Sequence, residues 1–221
     1  MKFTIQIQAL TIKRLENFEA DIAKEQSEGA NIGQFVFLNR KAWSPPSSPD
    51  LVVLGCTLWT QLNPGDLDIL TWSMTDFKQI EGMTPELYDE LHVRDCRWLE
   101  GELKRFASEP DKKVVVLTHH APIVEGASDP KFSHPNNPTS SGFVTDMLTP
   151  ATGVDFAGKP RERGVLLGPP VHTWAFGHTH WCCDFSLEGE HGIRLVSNQR
   201  GYKSGMQDRA LSFNREFVLA L

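Results

Sequence analysis

The chain has 221 residues, 40% of them hydrophobic and 23% charged, enough to close one sizeable core, so residues 1–221 read as a single domain of a globular protein. A formal net charge of −6 argues against a general nucleic-acid or anionic-membrane binder, because the average field repels both polyanions. No stretch approaches the ~20 apolar residues of a membrane span and the N-terminus lacks the apolar core of a secretory signal, so the cytoplasm is the expected compartment. The four cysteines, Cys56, Cys96, Cys182 and Cys183, form no C-x-x-C pair, which predicts reduced, mostly buried thiols.

In chain order, Phe3, Ile5 and Ile7 alternate with Thr4, Gln6 and Gln8, the period of a short strand. From about Leu10 to Glu25 the spacing of Ile12, Leu15, Phe18 and Ile22 predicts a helix with one apolar stripe, ended by Gly29 and Gly33. Residues 34–38 and 50–56 read as strands, separated by the proline-rich 44–49 loop. Residues 57–83 are aromatic but irregular, and Gly65-Asp66 after Asn63-Pro64 reads as an ordinary turn. Thr84-Pro85 then supplies an N-cap and an N1 proline for a helix with Leu87, Leu91, Trp98, Leu99 and Phe106 on one stripe, running to about Ala107. His92 and Asp95, three apart on it, read as a polar pair at the helix surface or core edge.

Residues 114–117 form a short buried strand. The Ser-, Pro-, Asn- and Gly-rich stretch 123–168 is a long loop broken by a short helix near Ser141–Leu148. Strands are expected at 171–176, after Trp181, at 193–197 and at 216–219. Strands mixed with two good helices predict an α/β layered domain.

Two of these strands end in histidine: Val-Val-Val-Leu-Thr-His-His-Ala-Pro at 114–122 and Trp-Ala-Phe-Gly-His-Thr-His at 174–180. A buried strand that stops at histidine delivers an imidazole to the edge of a sheet, where neutral rings can hold a metal. His178 and His180, two apart, would face one pocket if the backbone stays extended, and Gly177 lets the chain bend there. Only one of the adjacent His119 and His120 can share that pocket directly, so His120 is expected at the rim or elsewhere. The His-Glu-x-x-His spacing of zinc proteases is missing, and a cupin's His-x-His would precede its third histidine, whereas His119 comes first here.

This pair of motifs resembles the C-terminal half of the calcineurin-like metallophosphoesterases. Phe35-Val-Phe-Leu-Asn-Arg, Leu54-Gly-Cys-Thr-Leu-Trp, Thr118-His-His-Ala-Pro, the 174–185 segment and Ser197-Asn-Gln-Arg-Gly-Tyr look like successive landmarks of a fungal-type branch of that family, spanning about residues 10–202. The resemblance implies an αββα sandwich of two sheets flanked by helices. It also implies two divalent metals (Mn, Fe or Zn) that clamp a phosphoryl group and activate a bridging hydroxide, and a small-molecule phosphate mono- or diester as substrate. Carried over, it makes His119 and His178 ligands of one metal and His180 a ligand of the other.

The family's remaining motifs, Asp-x-His, Gly-Asp on a buried strand and Gly-Asn-His, do not occur. Residues 1–7 resemble the family's first strand but run through Gln8-Ala9-Leu10 into the helix that normally follows Gly-Asn-His, as an internal deletion would leave them. One sheet is therefore expected to be incomplete. Without the bridging Asp, two cations ~3.5–4 Å apart would repel each other uncompensated, so the expected activity is that of an impaired or inactive phosphoesterase. Two readings stand beside it: a non-catalytic binding or scaffold protein, and a one-metal hydrolase using three histidines.

Overall fold

The structure is a computed structural model that describes residues 2–132, 136–148, 171–187, 192–201 and 213–221. Its first element is a helix, α1 (Lys2–Ser27), which takes in the segment expected as a strand. An isolated strand leaves its amides and carbonyls to find partners elsewhere, whereas a helix pairs them internally, and the sheet edge nearest in sequence is already occupied by β1 (Lys41–Trp43). Gly29, at φ 95°, ends α1 in a left-handed turn in which the Ala30 amide bonds the Glu25 carbonyl at 3.0 Å. The helix lies on the outside: Leu15 and Phe18 stay 36% and 48% exposed, and its ties to the body include the Phe18–Phe35 ring contact and the Lys41–Glu19 ion pair.

Residues 34–38, expected as a strand, form no ladder, and β1 begins three residues later. Leu38 comes so close to Gly55 that a Cβ there would lie 2.4 Å from the Leu38 Cβ. Among the described residues the remaining strands are β2 (Leu51–Cys56), β3 (Lys113–Thr118), β4 (Val171–Ala175), β5 (Cys183–Ser186) and β6 (Arg194–Ser197). They form one sheet in the order β1-β2-β3-β4-β6-β5, hydrogen-bonded without a gap, with parallel pairing from β2 to β6 and an antiparallel strand at each edge. The class is mixed α/β. The 216–219 strand does not form, and the expected helix near Ser141–Leu148 is reduced to a 3-10 turn, Ser140–Gly142. The rest of the expected long loop, from 149 to 168, lies outside the described residues.

Between β2 and β3 the chain makes α2 (Leu67–Ser73), α3 (Thr75–Gln79) and α4 (Pro85–Phe106). The first two fall within the stretch that reads as irregular. The Gly65-Asp66 turn is present, capped by the Asn63 side chain, which accepts from the Gly65 amide at 3.1 Å. α4 starts as its sequence dictates, with the Thr84 hydroxyl accepting from the Leu87 amide and Pro85 in the first turn. Leu99, Leu103 and Phe106 pack with Val52, Leu54, Val114 and Val116 of the sheet. At about 1.5–3 kcal/mol for each large side chain removed from water, this contact is what fixes α4 against β2 and β3. Farther up α4, Tyr88 and Leu91 join Trp59, Leu62, Leu70 and Met74 in a second, smaller cluster.

His92 and Asp95 are not a surface pair. Both are buried and each is bonded elsewhere: His92 Nδ1 to the Trp59 carbonyl, Asp95 to Arg40 Nη1 at 2.7 Å and to the Leu58 amide at 2.8 Å. All four cysteines are free thiols, three of them buried. Among the described residues no helix is long and apolar enough to cross a membrane.

Candidate metal centre

The register Cys56↔Thr118 and Leu117↔Ala175 brings the C-terminal ends of β2, β3 and β4 level, so the residues that follow them share one rim. The carboxyl ends of parallel strands are where open α/β sheets place their ligands. Here the rim is held by backbone bonds. The Thr57 carbonyl accepts from the amides of His119 and His120 at 3.2 and 3.1 Å, and the His119 carbonyl accepts from the Gly177 amide at 3.0 Å.

Beyond the strands the backbone leaves the extended region. His178 and His180 have φ of 67° and 53°, and Leu58, after β2, has 55°. Left-handed conformations at non-glycine residues cost of order 1–3 kcal/mol and persist where surrounding contacts over-determine them. At Leu58 the contact is Asp95; at His180 the amide bonds Gln199 Oε1 at 2.8 Å. Gln199 Nε2 in turn reaches Thr179 Oγ1, the Trp181 carbonyl and Ser197 Oγ, so one side chain ties the turn to the end of β6.

Because the chain is not extended here, His178 and His180 do not face one pocket by strand alternation. The structure brings together His119, His120 and His178, with one ring nitrogen from each within 4.8 Å of the others. Two expected ligands, His119 and His178, are thus neighbours, and His120, expected at the rim or elsewhere, joins them. His180 lies outside this close-set group, although its charge is felt by both His119 and His178.

The geometry of the His119–His178 pair suits one ion. His119 Nε2 and His178 Nδ1 are 3.0 Å apart. Two nitrogens ~2.0–2.1 Å from a tetrahedral zinc stand ~3.3 Å apart, so this pair needs to open by only a few tenths of an ångström. His120 Nδ1 lies 3.3 Å from the Thr57 carbonyl, and a backbone bond from Gly142 supports His178. Such acceptors fix the tautomer and aim the opposite nitrogen, as outer-shell carbonyls do for metal-binding histidines. His120 Nε2 meets the Tyr88 hydroxyl at 3.3 Å, and that hydroxyl accepts from Thr60 Oγ1. Phe143 stacks on His178 with ring centroids 4.9 Å apart.

Electrostatics keeps the rings neutral. Burial, then the neighbouring His119 and His180, lowers the pKa of His178 to about 4. Burial followed by His178 and His119 holds His120 well below the usual histidine range, and desolvation lowers that of His119, the most open of the three. Neutral imidazole is the form that binds metal. No carboxylate belongs to this group among the described residues, so nothing in it would bridge a second cation.

The roles of Tyr88, Thr57, Phe143 and Gln199 at this rim carry no sign in the sequence, although Thr57 and Gln199 lie within two of the landmark segments. Tyr88 lies on the apolar side of α4 and Thr57 directly after a strand, and only the fold shows what they touch.

Compared with known protein families and with solved structures, the chain finds no match. It is similar to an uncharacterized protein of Acanthamoeba polyphaga mimivirus, 20% identical over 200 residues that cover 86% of this chain. The chain spans 62% of that relative's length.

Proposed function

We propose that the chain is a metal-dependent phosphoesterase by descent that keeps a site for one divalent ion, with turnover far below that of a complete two-metal enzyme. The observation that carries this reading is the approach of His119 Nε2 and His178 Nδ1 to 3.0 Å beside His120, at the carboxyl ends of parallel strands. The six-stranded sheet is read as one layer of the calcineurin-like sandwich. All-imidazole donors favour zinc, with manganese or iron as the family's other ions.

A bound ion would polarise a phosphoryl oxygen and make an attacking water more acidic. The chain's own part is to hold three neutral rings in place through the Thr57 and Gly142 backbone, and to leave the exposed side of His119 open to a substrate. The lack of a carboxylate in the histidine group favours a second reading, a protein that binds metal without catalysis.

Hydrolysis of bis(p-nitrophenyl) phosphate with zinc or manganese, by the wild type and by His178→Ala, tests the proposal. Slow, metal-dependent turnover that disappears in the variant is expected. Metal uptake without any turnover selects the non-catalytic reading, and equal turnover by both proteins contradicts a role for the histidines.

A further inference from the structure

A cavity of about 430 Å³ opens beside the histidine group and shares His119 and Thr57 with it. Its walls come from the 37–40 segment before β1, the end of β2 and the residues after it, His119 after β3, α4, and Ile12 of α1. The lining divides chemically. Its polar lining includes the guanidinium-bearing Arg40 and Arg94 with Asn39; its apolar lining is Phe37, Trp59 and aliphatic side chains. No carboxylate lines the cavity among the described residues.

The two arginines differ in freedom. Arg40 is anchored, with Nη1 on Asp95 at 2.7 Å and its side chain 20% exposed, so it is fixed in position and partly neutralised. Arg94 is exposed on α4 one residue before Asp95 and can swing toward a ligand. In a chain of net charge −6, a cavity lined by Arg94, by an Arg40 already paired with Asp95, and by no carboxylate is locally more positive than the chain average and favours an anion. Guanidinium groups match phosphoryl oxygens in shape and charge, and aromatic walls take a planar apolar group. Cavities of ~300–1,000 Å³ with apolar walls and a few placed polar groups are the size of small-molecule sites.

We infer that this cavity binds the substrate of the histidine site, and that the substrate is a small phosphoester carrying a single aromatic group, its phosphoryl oxygens directed to Arg94, Arg40 and Asn39 and its ring against Phe37 and Trp59. The inference rests on the phosphoesterase reading for what happens at His119, but the binding itself does not require metal.

Phenylphosphonate, which is not hydrolysed, tests it on the metal-free full chain by titration calorimetry, with methylphosphonate as the ring-less control. Expected are binding of phenylphosphonate at least about tenfold tighter than methylphosphonate, and a loss of about tenfold or more in Arg94→Ala that Arg94→Lys partly restores. Arg94 is exposed, so its replacement should leave the melting temperature unchanged, and that measurement separates lost binding from lost fold. Equal affinity of Arg94→Ala and wild type, or of the two phosphonates, overturns the proposal, as does the absence of binding. Arginine-dependent binding to a chain that takes up no zinc upholds the cavity and removes the metal reading; zinc uptake without phosphonate binding does the reverse.

Discussion

Asp95→Asn should unsettle both the fold and the histidine rim, because one buried carboxylate holds two things at once. Asp95 is fully buried and takes Arg40 Nη1 at 2.7 Å and the Leu58 amide at 2.8 Å. Removing one partner of a buried ion pair costs about 3–5 kcal/mol. Arg40 is 20% exposed and can regain some water, so the lower end, ~3 kcal/mol, is the better figure. For a chain of this size that is a fall of roughly 6–12 °C in melting temperature. Leu58, at φ 55°, is also left with a weaker acceptor, and it follows Thr57, whose carbonyl holds the amides of His119 and His120. Zinc affinity should therefore fall by about 10–100-fold, as when an outer-shell partner is lost. Circular-dichroism melts and zinc titration of the same preparation measure both effects. The double variant Arg40→Met/Asp95→Asn, with no stranded guanidinium, should melt above Asp95→Asn alone. A loss under ~1 kcal/mol would refute the energetic argument. Unchanged zinc affinity in a destabilised variant would refute the link from Asp95 to the rim.

Acidification should weaken the fold through the neutral histidines. The unfolded chain takes up a proton near pH 6.5 but His178 only near 4, so stability complete above 6.5 is lost as pH falls between these values. At about 1.36 kcal/mol per pH unit the ceiling is ~3 kcal/mol, nearer 2 after allowance for solvent, and urea melts of His178→Gln should show a shallower pH dependence than wild type. A steeper one would contradict this. Gly55→Ala puts a Cβ 2.4 Å from the Leu38 Cβ and should cost ~1–3 kcal/mol in urea denaturation; a neutral effect would mean that the 34–38 segment yields freely. Tyr88→Phe strips His120 Nε2 of its hydroxyl partner, so the metal-free protein should lose about 1 kcal/mol while the zinc-induced rise in melting temperature grows; a smaller rise would show that Tyr88 supports the bound state.

The elements legible in the sequence are those with local causes. Thr84 and Pro85 start α4, the valines of β3 mark a buried strand, and both histidine motifs follow strands that end where their apolar runs end. What was not legible depends on distant partners. Asp95 meets Arg40 from 55 residues away and His92 meets Trp59 from 33 away, so the spacing of His92 and Asp95 on one helix carried no sign that either was buried. Phe3, Ile5 and Ile7 alternate as a strand would, yet β1 borders β2 and the N-terminal segment is helical. The place of His120 depends on backbone beyond the strands, where the left-handed φ of His178 turns its ring toward neighbours that strand alternation would separate.

Metal content tests the central claim most directly. Native mass spectrometry of the zinc-loaded full chain, beside His119→Ala and His178→Ala, should find about one ion per wild-type chain and none held by either variant. A wild-type chain that holds no zinc, holds two ions, or holds one with both histidines replaced would contradict the account.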